Sequence, residues 1–186
     1  RFHPAYITKV YGEVFGGGNA APVNGNTTVI CQANHATDTI YRLFGGGNEA
    51  GVSGNDTVTM NSGKITQGIY GGCNFNDTVK GNIFVNINGG TLGIKGTPMT
   101  QGIFGGGYGE TTHVTGNVTV NIGTVTAGDP VGYANITGDV YGGSAKGTVN
   151  STNNSSVNTY TYPNPENSEE NLTANCYTKV NFYGES

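Results

Sequence analysis

Apolar and polar residues alternate along this chain in short bursts, and the bursts recur. Gly25-Asn26-Thr27-Thr28-Val29-Ile30-Cys31 returns as Gly54-Asn55-Asp56-Thr57-Val58-Thr59-Met60 and as Gly81-Asn82-Ile83-Phe84-Val85-Asn86-Ile87. Gly116-Asn117-Val118-Thr119-Val120-Asn121-Ile122 is a fourth copy, and Thr178-Lys179-Val180-Asn181-Phe182 is a fifth beyond an insertion. A period of two with one apolar face predicts a strand buried on one side at each place. Ahead of each strand stands an aliphatic residue, an aromatic and a glycine run. The copies are Val14-Phe15-Gly16-Gly17-Gly18-Asn19, Leu43-Phe44-Gly45-Gly46-Gly47-Asn48, Ile69-Tyr70-Gly71-Gly72-Cys73-Asn74, Ile103-Phe104-Gly105-Gly106-Gly107-Tyr108 and Val140-Tyr141-Gly142-Gly143-Ser144-Ala145. The aromatics are spaced by 29, 26, 34 and 37 residues. Those spacings lie in the range of stacked-repeat proteins, where variation in length falls in loops.

A weaker third element, Gly63-Lys64-Ile65, Gly90-Thr91-Leu92 and Gly123-Thr124-Val125, follows the alternating strand. Three short strands per unit, joined at Gly/Asn corners, predict a three-sided coil. Stacking like units places equivalent residues about 4.8 Å apart on parallel strands. The predicted inward ladders are Val29/Val58/Val85/Val120/Val180, Cys31/Met60/Ile87/Ile122/Phe182 and Val14/Leu43/Ile69/Ile103/Val140. Crossovers between parallel strands are nearly always right-handed. The fold expected is therefore all-β: a right-handed, single-stranded parallel β-helix of about five irregular coils, forming one domain over residues 1–186. Glycine at the corners meets a need for positive φ or close backbone approach. Asn19, Asn48 and Asn74 after the glycine runs, and Asn26, Asn55, Asn82 and Asn117 opening the strands, are expected to hydrogen-bond from one coil to the next.

Composition narrows the function classes. Of 186 residues 33 are Gly and only 11% are charged, a balance that disfavours helices. The glycines follow no three-residue period, so the chain is not collagenous. Eight scattered Lys and Arg at a net charge of -4 argue against nucleic-acid binding, which needs a basic patch. No apolar run approaches the roughly 20 residues of a membrane helix, so no membrane insertion by a helix is expected. Cys31, Cys73 and Cys176 match no zinc or redox spacing, and Cys31 falls on a core ladder as a buried thiol. No cofactor and no metal are called for.

Residues 149–176 break the pattern with Asn, Ser and Thr, then Tyr160-Thr161-Tyr162-Pro163-Asn164-Pro165 and Glu166, Glu169 and Glu170. This stretch reads as an inserted lateral loop or as a cap. Neither end carries an amphipathic helix that would close a stack. That points to a segment of a longer protein, or to end-to-end or homo-oligomeric packing.

With the aliphatic-aromatic-Gly-Gly-Gly-Asn copies and the Gly-Asn-x-Thr-Val strands in view, residues 10–148, with a return at 177–184, resemble glycine-rich parallel β-helix repeats of bacterial secreted and cell-surface proteins. Adhesin passenger domains are among these. The chain is also loosely similar to the repeats of polymorphic outer-membrane proteins, although their Gly-Gly-Ala and Phe-x-x-Asn elements are absent. The resemblance implies an extracellular or surface-displayed structural or adhesive role without catalysis.

Candidate chemistry is sparse. Asp38, Asp56, Asp77, Asp129 and Asp139 fall at different phases of the repeat, with Asp56 and Asp77 in turn-proximal Asn-Asp-Thr sites. His3, His35 and His113 share no phase either, so no catalytic constellation forms. A polysaccharide-active enzyme is the least supported reading. The aromatic column Phe15, Phe44, Tyr70, Phe104 and Tyr141 is the candidate ligand surface. Strand alternation turns these rings outward as a stripe for stacking glycans or docking another surface protein. A ring folded back over the edge of its coil would be packing instead. Asn-x-Ser/Thr sequons begin at Asn26, Asn55, Asn76, Asn117, Asn135, Asn150, Asn153, Asn154 and Asn171. Asn26, Asn55 and Asn117 follow from the repeat itself, which leaves Asn150, Asn153, Asn154 and Asn171 as the candidate glycosylation sites.

Overall fold

A computed structural model describes residues 10–32, 39–93, 102–126, 129–131, 133–151, 156–167 and 169–184. Every regular element among them is a β-strand. The alternating strings form one five-stranded parallel sheet in the order Thr178–Phe182, Val118–Ile122, Ile83–Ile87, Asp56–Ser62, Thr27–Gln32. Its register sets Val29 against Val58, Val58 against Val85, Val85 against Val120 and Val120 against Val180. Cys31, Met60, Ile87, Ile122 and Phe182 align in the same way. Two of the three predicted ladders are thus present in register; they face inward as far as Val120 and Ile122, whereas Val180 and Phe182 on the last strand are exposed.

The aliphatic-aromatic copies build a second parallel sheet. Glu13–Phe15, Thr39–Phe44 and Lys64–Tyr70 lie in sequence, so that Val14, Leu43 and Ile69 align. Above Lys64–Tyr70 the next level is split: Gly90–Leu92 pairs with its first half and Gly102–Phe104 with its second. Ala134–Ile136 and Asp139–Tyr141 continue the two halves. The weak third element of the repeat is therefore no separate side. Lys64 and Ile65 begin the same strand that ends in Ile69 and Tyr70. Thr124–Thr126 leaves the parallel sheet and pairs antiparallel with Asp129–Val131. Those extra residues lengthen the spacing between aromatics to 37.

The third side arises where no strand was predicted, between the glycine run and the Gly-Asn corner. Asn76–Val79, Thr111–Val114 and Thr148–Val149 form a parallel sheet, extended by bridges from Val79 to Val52 and from Val52 to Val23. Each level contributes a single inward valine there, too short a signal for a period-two pattern. Buried Val52, Val79 and Val114 complete the enclosure. Leu43, Ile69, Ile103, Val58, Val85, Val120, Met60 and Ile87 join Val79 and Val114 in one continuous apolar cluster drawn from all three sheets.

The corners hydrogen-bond from level to level just as the strands do. Gly45 N donates to Tyr70 O at 2.9 Å and Gly71 N to Phe104 O at 2.9 Å, while Gly46 N and Gly72 N reach Gly72 O and Gly106 O. Corner amides and carbonyls are thereby satisfied by backbone, as buried polar groups must be. The glycine requirement here is close approach: a Cβ on Gly71 would run into Gly105 O and Ile83 Cγ2. Positive φ governs the opposite corner, where Gly63 has φ 98° and Gly90 91°.

Within 149–176, Thr159–Pro163 and Asn171–Asn175 form an antiparallel hairpin. It stands between Thr148–Val149 and the returning strand Thr178–Phe182.

The tight glycine corner makes a direct prediction. Gly71→Ala should lower stability by about 1–3 kcal/mol or more through overpacking. Gly143→Ala, whose Cβ would meet only Val149 Cγ2 at 3.7 Å, should change it by less than about 0.5 kcal/mol. Urea unfolding of the two variants checks the contrast.

Candidate functional site

The five repeat aromatics form one continuous column. Centroid distances are 4.9 Å for Phe15–Phe44, 4.9 Å for Phe44–Tyr70, 5.2 Å for Tyr70–Phe104 and 4.9 Å for Phe104–Tyr141. Interplanar angles run from 4° to 14°. These distances repeat the spacing of the strands beneath, so strand geometry imposes the stack. The rings lie outside the apolar cluster formed by their aliphatic neighbours, as alternation requires. They nevertheless lie down along the strand. A Cβ on Gly68 would meet the Tyr70 ring, and one on Gly102 the Phe104 ring.

That posture decides what the column offers. Phe44 is 0% and Tyr70 1% exposed, whereas Tyr141 is 44% exposed. Each inner ring has both faces against its neighbours, leaving no open face on which a sugar ring can stack. A roof covers the edges. The Arg42 guanidinium carbon lies 5.4 Å from the Phe44 centroid and 5.1 Å from that of Tyr108. Tyr108 meets Tyr70 edge-on at 5.3 Å, and Lys146 Nζ lies 5.2 Å from the Tyr108 centroid. Arg42 is anchored in turn by an ion pair with Glu13 one level away. Burial pushes the Tyr70 hydroxyl up to about 12.

Amide ladders run beside the column. Asn48 Nδ2 donates to Asn19 Oδ1 and Asn74 Nδ2 to Asn48 Oδ1, each at 2.8 Å. At the next level the residue is Tyr108 rather than Asn, which leaves the buried Asn74 Oδ1 without a donor. In the second series the side chain caps the backbone above: Asn55 N donates to Asn26 Oδ1, Asn82 N to Asn55 Oδ1 and Asn117 N to Asn82 Oδ1. Sequence reasoning missed a further ladder, Asn86–Asn121–Asn181, with bonds of 2.8 and 2.7 Å. Asn at an equal offset in three of the five alternating strings was its signal.

A shallow groove of about 280 Å³ opens next to that ladder. Asn86, Asn88, Asn121, Thr124, Val125 and Tyr183 line it, with no charged side chain among them.

Among the described residues the acidic side chains do not converge, and nothing is described of the Asp129 side chain. Asp77, at φ 79°, accepts from Gly51 N and Thr78 N, each at 2.7 Å, as a turn residue does. Asp139 accepts from the Tyr141 hydroxyl at 2.9 Å. Asp56 departs from the turn role read from its Asn-Asp-Thr setting. It takes the first inward position of its strand, opposite Thr27 and Ile83, and is fully buried. The alternation Asp56, Val58, Met60 carried that signal. His113 Nδ1 contacts Thr148 Oγ1 at 2.8 Å. His3, His35 and Asp38 lie outside the described residues, as do sequons Asn153 and Asn154. Among the described residues no group of three or more His, Cys, Asp or Glu could hold a metal ion, and no helix is long and apolar enough to cross a membrane.

Of the sequons in the inserted segment, Asn171 is exposed on the hairpin. Asn150 has φ 62°, and its Nδ2 donates to Gly116 O at 2.8 Å and Tyr177 O at 3.1 Å. A glycan would require the same nitrogen. Cys31 lies on its ladder, with its thiol donating to Ser62 O at 3.4 Å. Burial pushes the Cys73 thiol up to about 12.

Comparison with family models, curated proteins and solved structures finds no match to this chain.

If the aromatic column is packing, its interior and its end should differ. Phe44→Ala should cost about 3–5 kcal/mol, and Tyr141→Ala less than about 1 kcal/mol. Denaturant unfolding measures both, and similar small losses at the two positions would remove the structural duty assigned to the column.

Proposed function

We propose that this chain is a right-handed parallel β-helix of about five irregular coils. It acts as a non-catalytic structural or adhesive scaffold of the secreted or cell-surface type that its repeats resemble. The observation carrying the reading is register: three parallel sheets advance by one repeat per level, with like residues over like. Crossovers of this kind are right-handed in nearly all proteins. The hairpin within 149–176 fits a lateral insertion, because the chain resumes its register at Thr178–Phe182. The engaged roles of Asp56, Asp77 and Asp139 support a reading without catalysis. End-to-end packing belongs to the same proposal. Val180 is 44% and Phe182 75% exposed although their ladder partners Val120 and Ile122 are buried.

A carbohydrate-binding role is the second reading, and the Asn86–Asn121 groove favours it over the aromatic column. Its uncharged amides and the Tyr183 ring suit a neutral glycan better than an acidic one. Docking of another surface protein would use the exposed Tyr162 of the hairpin together with Tyr177 just beyond it.

Two assays divide these readings. Incubation with neutral and acidic polysaccharides in calcium-containing buffer should release no reducing or unsaturated ends, and either product would contradict the scaffold reading. On a glycan array, binding abolished by Tyr183→Ala but retained by Tyr141→Ala would establish the groove. No binding by the wild-type protein would remove the second reading.

A further inference from the structure

Asp56 is buried on the inward face of a strand whose column otherwise holds Thr27, Ile83, Val118 and Thr178. Two short contacts meet at Thr27. Its Oγ1 lies 2.6 Å from Gly45 O and 2.7 Å from Asp56 Oδ1. A threonine hydroxyl has one proton to give, and a backbone carbonyl has none. Were Asp56 ionised, the Thr27 proton could serve only one of the two oxygens. The other contact would then press lone pair against lone pair. Were Asp56 neutral, its own proton would complete the chain: Asp56 Oδ1–H donates to Thr27 Oγ1, and Thr27 Oγ1–H donates to Gly45 O.

A second observation points the same way. Asp56 Oδ2 is buried and has no hydrogen-bond partner. An unpartnered carbonyl oxygen of a neutral acid is tolerable in an apolar interior, whereas an unpartnered carboxylate oxygen is far more costly. Among the described residues no cation compensates it. The strand below presents Thr27, the strand above Ile83, and the neighbouring corner Gly45. Cys73 is the titratable group whose ionisation Asp56 influences, and its thiol stays neutral because burial pushes it up to about 12.

We propose that Asp56 is held as a neutral carboxylic acid, so that a buried Asp56–Thr27–Gly45 relay ties adjacent repeat levels together only while the acid keeps its proton. Burial raises Asp56 from 3.8 to about 7, against the lowering influence of the Thr27 hydrogen bond. With the Thr27 proton committed to Gly45 O, that opposition falls away and the direction remains upward.

The sign of the linkage follows. The folded state binds the Asp56 proton more tightly than the unfolded state does. The stabilisation is full below about pH 3.8 and is lost as pH rises through about 7. Acid therefore strengthens this part of the fold and alkali loosens it, opposite to the usual effect of a paired surface carboxylate.

The test compares the whole chain with Asp56→Asn, whose amide can donate to Thr27 at every pH. Urea unfolding from pH 4 to pH 8 should show the folding equilibrium of the wild type falling several-hundredfold (roughly) relative to Asp56→Asn, the ratio implied by linkage across that interval. Curves that keep a constant ratio within about twofold would overturn the proposal. Should Asp56→Asn fail to fold, the carboxyl carbon resonance of Asp56 in the wild type gives the answer. A titration midpoint near 7 supports the relay, and a carboxylate already ionised at pH 5 overturns it.

Discussion

In-register stacking of like residues at the spacing of parallel strands is the constraint on which the rest of this molecule depends. About 4.8 Å separates one level from the next. Any group on the backbone must find its neighbour at that distance or be excluded by it. Valine over valine excludes water from the interior. Asparagine over asparagine passes a hydrogen bond along the corner. Phenyl over phenyl falls near van der Waals distance and becomes a packed column. At Gly71 the same spacing leaves no room for a side chain, because the next level's carbonyl oxygen occupies the place of a Cβ. One distance accounts for the valines, the asparagines, the aromatics and the glycines together.

The constraint also explains where the chain departs from its own pattern. Insertions do not disturb the stack when they leave from a corner or from the middle of an edge. The hairpin of Thr124–Thr126 with Asp129–Val131 and the longer one of Thr159–Pro163 with Asn171–Asn175 both satisfy their backbone locally, then return the chain to register. Replacing one member of a ladder is more costly. Tyr108 stands where the preceding three levels have Asn19, Asn48 and Asn74. It interrupts the amide series and strands Asn74 Oδ1, while its ring, with Arg42, roofs the aromatic column. A local polar loss is exchanged there for aromatic and cation–π contacts.

Much of this was legible in the residues because repetition amplifies weak signals. Val58 alone says little, but Val29, Val58, Val85, Val120 and Val180 at matching offsets define a ladder and its register. The third side escaped because each level invests one valine in it, and a single residue has no period. Asp56 was misread for a different reason. Its tripeptide resembles the turn at Asp77, and only its phase relative to Val58 and Met60 marks it as inward. The aromatic column could be placed by alternation but not weighed. Gly68 and Gly102 give the Tyr70 and Phe104 rings room to recline, but Arg42 holds the same offset before the equally buried Phe44, so no local residue type marks the posture. The groove beside Asn86 and Asn121 depends on how a corner meets the returning Tyr183, a long-range juxtaposition with no local signature.

The central claim is that successive repeats lie directly over one another in parallel register, and methyl-to-methyl nuclear Overhauser effects test it most directly. With selectively labelled valines, cross-peaks should link Val29 to Val58, Val58 to Val85 and Val85 to Val120, each strong. Val58 to Val120, two levels apart, should be weak or missing. A strong Val58–Val120 contact, or a set of contacts joining Val58 to residues at antiparallel offsets of the neighbouring strand, would contradict the stacked arrangement from which the rest follows.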